Sequence, residues 1–174
     1  GAGIVLRSLD APARLIAEIR KESYRLMEET ETYLLKTLLP DLRKAGIVVL
    51  NYSELNKRQK ETVDGYFNEV IYPVLTPLAY DHGHPFPHIS NLSLNLAILL
   101  RGRDGAKRFA RIKVPPSLPQ LLPIKRSSGG LRRDGTAPKR HYFVWLDQVI
   151  KANLPKLFPG LEVLEAHPFH VTRN

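Results

Sequence analysis

PVLTPLAYDHGHPFPHISNLSLNLAILL, residues 73–100, separates a helix-like part of the chain from a strand-like part. Pro73, Pro77, Pro85 and Pro87 hold φ near one value and carry no backbone N–H, so neither a long helix nor a central strand passes through them. The residue before each proline is pushed towards extended backbone. Val74, Leu75, Leu78, Phe86 and Ile89 are apolar, which predicts a stiff crossing laid over a core. From Leu92 the pattern changes. Leu92-Ser93-Leu94-Asn95-Leu96 alternates, and Ala97 to Leu100 is continuously apolar, so one strand is expected over 92–101.

Downstream, Gly102-Arg103-Asp104-Gly105 is a turn and Arg108 to Val114 a second strand, giving a hairpin over 92–114. Arg108, Ala110, Ile112 and Val114 share one face of that strand, and Lys107, Phe109, Arg111 and Lys113 the other. Pro115-Pro116 ends it. Leu121 to Ile124 is expected as a short edge strand because of Pro123. Residues 125–140 are rich in Gly, Ser and basic side chains and are read as a surface loop. Strand Tyr142–Trp145, helix Asp147–Asn153 and a last strand from Leu161 to Thr172, bent at Pro168, complete the chain.

Upstream, Asp10-Ala11-Pro12 reads as a helix start. Ile16, Ile19, Leu26, Met27, Leu34 and Leu38 form one apolar stripe. Pro40 kinks this helix or starts a new turn, and Gly46 stops it. Ile47 to Leu50 is an extended link. Asn56 and Gln59 have capping-box spacing for a second helix to about Ile71, burying Val63, Phe67, Val70 and Ile71. The fold class expected is therefore α+β: an N-terminal helical hairpin, then a mainly antiparallel or mixed sheet with one short helix. The domain division is placed at the proline crossing, with a helical segment over 1–72 and an α+β domain over 73–174.

The 174 residues carry a formal net charge of +9, which fits either a solvated basic face or a polyanionic partner: nucleic acid, polyphosphate or nucleotide. With no cysteine in the chain, disulfide scaffolds, thiolate zinc sites and cysteine nucleophiles are excluded. No apolar run approaches the roughly 20 residues that span a bilayer. His82, His84, His88 and Asp81 offer metal-type ligands, but Pro85 and Pro87 splay successive side chains, so loop histidines are the expectation and no metal site is assigned. There is no phosphate-binding Gly-rich loop, nucleophile elbow or paired carboxylate, so no catalytic residue and no cofactor-binding residue are assigned. Arg111 and Lys113 are the candidate substrate contacts: two cations beside Phe109 on one strand face suit a phosphate chain, and the other reading is a solvated sheet face. Arg101 and Arg103 lie at the near end of the same hairpin. RNA readout would call for exposed aromatics on alternate strand positions, and only Phe109 and Tyr142 fit, so nucleic acid is disfavoured.

Longer motifs go further. Phe67–Ala79 (FNEVIYPVLTPLA) resembles the signature leading into the head domain of the bacterial polyphosphate kinase family. So do His84-Pro85-Phe86-Pro87 with Ile89–Leu96, Arg108–Pro116 (RFARIKVPP), Asn153-Leu154 with Leu157–Gly160, and Pro168-Phe169 with Val171–Asn174. They occur in order over most of residues 45–174. The resemblance implies the end of an N-terminal domain plus a head, or middle, domain of an enzyme that moves phosphate between ATP and polyphosphate with Mg2+. It implies homo-oligomers, a cytoplasmic location, and a phosphohistidine carried on C-terminal domains whose motifs are not found here. On that basis the chain is expected to be a piece of a longer protein, inactive as a kinase alone, serving as scaffold and oligomer contact and helping shape the polyphosphate tunnel. The alternative is a non-enzymatic basic module for RNA or another polyanion. Asn91 and Asn95 are expected to satisfy backbone groups near the prolines, with a place along the polyphosphate path as the other reading.

Overall fold

The computed structural model describes residues 2–80, 89, 91–124 and 140–171, with backbone alone for 2–11, 79 and 80. It divides into two compact units, Gly1–Ile47 and Val48–Asn174.

The first unit is helical. Helix α1 (Ala2–Tyr33) passes through a π-helical turn at Leu34–Leu38 into α2 (Leu39–Lys44). The expected start at Asp10 is overturned: the helix begins at Ala2 and Pro12 lies inside it. One proline removes one helical hydrogen bond, and the good helix formers Ala11, Ala13, Arg14 and Leu15 around it keep the backbone helical. Pro40 opens α2, as expected. The π turn before it, closed by Leu39 N–H donating to the carbonyl of Leu34, widens the helix where a proline ring would crowd the preceding turn. Gly46 follows α2 at φ 87°, a conformation that an L side chain rarely adopts. The stripe residues Ile16, Ile19, Leu26, Met27 and Leu38 are exposed.

The second unit is α+β. Strand β1 (Ile47–Leu50) leads through a 3-10 turn (Tyr52–Glu54) to helix α3 (Lys57–Tyr66). The capping box is formed as read: Asn56 Oδ1 accepts from Gln59 N–H at 3.0 Å, and Gln59 Oε1 accepts from Asn56 N–H at 2.9 Å. A π turn (Phe67–Ile71) and a 3-10 turn (Tyr72–Val74) carry α3 to β2 (Thr76–Tyr80). Then follow β3 (Leu94–Arg101), β4 (Lys107–Lys113), β5 (Leu121–Pro123), β6 (His141–Trp145), α4 (Leu146–Ala152), α5 (Leu154–Leu157) and β7 (Glu162–His170). One sheet has the order β1-β6-β5 and the other β2-β4-β3-β7. All the registered pairs β2–β4, β3–β4, β3–β7 and β5–β6 are antiparallel.

The α+β class and the hairpin stand as read. Ile47–Leu50, expected as a link, is a strand beside β6. The proline crossing contributes β2, with Pro77 opposite Ile112. The register break in β7 falls opposite Leu99 and Leu100 rather than at Pro168, which pairs with Leu96. The two predicted helices fall in different compact units. The buried Val63 of α3, with Phe67 and Ile71 of the π turn, joins Leu96, Ile98, Leu100, Ala110 and Ile112 of the sheet and Val149, Ile150 and Leu154 of the later helices in one core. Val70, expected in that core, is exposed. Positions 63, 67 and 71 repeat every four residues, and 70 lies off that row. The sheet's compact unit thus begins at Val48, well before the proline crossing.

A polar knot ties the helices of this unit together. Asp64 accepts from Tyr52 Oη at 2.9 and 3.1 Å and from Asn153 Nδ2 at 2.9 Å. Asn153, only 3% exposed, also donates to the carbonyl of Val149 at 3.0 Å. Gln148 Oε1 accepts from Tyr52 N–H at 2.8 Å, and its Nε2 donates to Asn51 at 2.9 Å. Burial, with the Asp64 carboxylate beside it, pushes the Tyr52 phenol up to about 12. A raised tyrosine pKa means that the fold favours the neutral phenol. Its contribution is complete below the unfolded value near 10 and disappears as pH climbs through about 12. Tyr52→Phe should therefore lower stability by about 1 kcal/mol at neutral pH and flatten the loss of stability between about pH 10 and 12. Urea denaturation across that range, with ultraviolet phenol titration, reads both.

Candidate functional site

The core takes one face of the four-stranded sheet: Leu96, Ile98 and Leu100 from β3, Ala110 and Ile112 from β4. Alternation places Arg111 and Lys113 on the opposite face. Antiparallel register sets Leu78 and Ala97 on either side of Arg111, and Thr76 and Asn95 on either side of Lys113.

Arg111 is not a solvated side chain. It is 6% exposed, and its Nε has no hydrogen-bond partner among the described residues. A buried charge without a counter-charge is costly, so proteins normally pair it. Lys113 is exposed at the strand end and lines a cavity of about 320 Å³ with Asn91, Ser93, Gln120 and His170. Asn95 is wholly buried. Its Nδ2 donates to the carbonyl and the hydroxyl of Ser93, each at 2.9 Å.

The remaining sequence candidates separate. Arg101 pairs with Glu162 across the strands at 3.1 Å. Arg108 grips Asp104 at 3.1 and 2.5 Å, and that guanidinium, helped by the N–H of Ala106, holds the Asp104 carboxyl below its ordinary value. Arg108 is thus engaged within the hairpin and Arg101 with the neighbouring strand β7. Asp81, His82, His84, His88 and the basic positions 125, 126, 132, 133 and 139 lie outside the described residues. Among the described residues no group of three His, Asp or Glu could hold a metal ion. No helix there is long and apolar enough to cross a membrane. The Tyr52–Asp64–Asn153 knot escaped sequence reading; Asn153 just after an apolar helix run was its single local sign.

Leu92, on the rim of the same cavity, is in the left-handed region at φ 55° although 71% exposed. Its N–H donates to the carbonyl of Val171 at 2.8 Å, tying the loop to the end of β7. A side chain so exposed gains little from packing, and its backbone conformation is unfavourable for a leucine and free for a glycine. Leu92→Gly should raise stability by about 0.5–1 kcal/mol, a rise in thermal midpoint that calorimetry would register.

The second unit is by class a segregated α+β domain, with its core on one face of the four-stranded sheet and a buried arginine on the other. The chain belongs to the polyphosphate kinase family: residues 58–174 match the model of the polyphosphate kinase middle domain. A polyphosphate kinase from Aphanizomenon baltica is 43% identical over 165 residues, spanning 94% of this chain and 42% of that protein. Polyphosphate kinase 1 of Chlorobaculum tepidum is 39% identical over 176 residues, spanning 99% of this chain and 25% of that protein. The crystal structure of polyphosphate kinase from Porphyromonas gingivalis superposes with a TM-score of 0.78 at 24% identity, over 92% of this chain and 24% of that one, and shares the fold. This chain therefore spans between a quarter and about two-fifths of these two curated relatives.

Proposed function

We propose that this chain acts within an ATP:polyphosphate phosphotransferase as scaffold and oligomer contact, helping to shape the path of the polyphosphate chain. The observation that carries the reading is the near end-to-end match to polyphosphate kinases much longer than itself, joined to a cationic strand face that the core does not use. The phosphoryl-transfer groups, with ATP and Mg2+, belong in this reading to C-terminal catalytic domains of the parent enzyme. No residue of this chain is assigned to them. The parent would be a cytoplasmic homo-oligomer. In domain terms, 1–72 would close the preceding helical domain and 73–174 form the head, with α3 lending its apolar face to the head's core.

Arg111 and Lys113 are the proposed polyphosphate contacts. Two positions apart on one strand face, they stand roughly 7 Å apart along the backbone, a spacing that lets two cations meet successive stretches of one anionic chain. The planar guanidinium engages two phosphate oxygens at once, and the ammonium adds a mobile point charge.

Two measurements test this. Titration of the 174-residue chain with polyphosphate should show binding that weakens steeply with salt and falls at least about tenfold in the Arg111→Ala/Lys113→Ala variant. Unchanged binding by that variant sinks the contact assignment, and a clear preference for RNA would favour the nucleic-acid module instead. Incubation of the chain with ATP and Mg2+ should yield no polyphosphate; synthesis would overturn the scaffold role.

A further inference from the structure

We propose that Asn95 sets the charge of the Arg111 site: a neutral amide stands where a carboxylate would cancel the guanidinium, which leaves the site selective for phosphate oxyanions. This rests on the reading of Arg111 as a polyphosphate contact and extends it to a residue that makes the site specific.

The argument starts from register. Ala97 is the β3 residue opposite Arg111, and Asn95 is opposite Lys113, so Asn95 is the diagonal neighbour of Arg111 on one face. Ala97, the direct partner of Arg111, carries only a methyl side chain. The amide orientation is determined by chemistry, because the carbonyl of Ser93 only accepts and the group 2.9 Å from it must be the NH2. Oδ1 is thereby left as the other end of the amide. It is buried and has no donor among the described residues. Arg111 Nε is the complementary case, a buried donor with no acceptor there. A donor and an acceptor without partners thus lie on adjacent strands of one face.

An amide oxygen is a dipole end and leaves the formal charge of a guanidinium intact. An aspartate at the same position would be isosteric and would neutralise it. With Asn95 neutral, no carboxylate among the described residues pairs with Arg111, and the remaining 6% exposure of that side chain leaves room for a group from outside to do so. A doubly charged phosphate oxygen array is favoured over neutral polar groups because a guanidinium out of water discriminates chiefly by charge.

Asn95→Asp and Arg111→Met test this in the 174-residue chain, with tripolyphosphate and ATP as probes and thermal midpoint and titration as readouts. The expected result for Asn95→Asp is a folded protein whose affinity for tripolyphosphate drops by about tenfold or more, the external anion having been replaced by an internal one. Arg111→Met should raise the thermal midpoint in the absence of ligand and abolish the shift with tripolyphosphate. Since the new carboxylate also loses its bond to the Ser93 carbonyl, the two changes are combined in a double-mutant cycle. Asn95→Asp should lower the thermal midpoint less when Arg111 is present than in the Arg111→Met background, where the carboxylate has no cation to meet. A shift with both probes supports a general phosphate site, and a shift with tripolyphosphate alone assigns it to inorganic chains. Wild-type affinity in Asn95→Asp, or equal cost of that change in both backgrounds, overturns the role of Asn95 while leaving the contact itself in place. A wild-type chain that binds neither probe removes the contact reading as well.

Discussion

A proline inside a strand has no N–H to offer a second neighbour, and this constraint orders both sheets. Pro77 lies in β2, Pro168 in β7 and Pro123 in β5. Each of those strands is an edge: β2 and β7 flank the four-stranded sheet, and β5 ends the three-stranded one. The centre of the larger sheet falls to β3 and β4, which contain no proline and supply its buried apolar residues. A central strand needs both rows of backbone hydrogen bonds, so the chain has little freedom to arrange these strands otherwise.

With the centre of the sheet assigned, one face must be covered. The α3 segment and its π turn do this with a row at positions 63, 67 and 71, assisted by Val149, Ile150 and Leu154. The turns that bracket this packing are held by polar side chains rather than by propensity. Asp64 joins the 3-10 turn to the end of α4 through Tyr52 and Asn153. Buried and partly buried polar groups of this kind specify one arrangement of helices, because any other leaves them unsatisfied.

The opposite face departs from the usual treatment of buried charge. Its strand positions carry Arg111, buried without a carboxylate partner among the described residues, beside a buried amide oxygen in the same condition. Two further cations of the hairpin, Arg101 and Arg108, are matched by Glu162 and Asp104. Paired, exposed charge and a buried charge with no carboxylate partner among the described residues thus stand within one sheet.

Periodicity and proline position alone determined the α+β class, the 92–114 hairpin, the capping box at Asn56 and the edge character of residues 121–123, because these follow from backbone geometry within a few residues. The motifs over 67–174 were enough to indicate the family. The strand nature of Ile47–Leu50 and Thr76–Tyr80 was decided only by the partners β6 and β4, since an isolated extended segment and a strand look alike until something pairs with it. The helix through Asp10 and Pro12 was likewise decided by backbone that overrode a local start signal. Arg111 and Lys113 share a face in any strand, and alternation alone reveals that. That one of them is buried and the other exposed depends on what packs around them, which no spacing encodes.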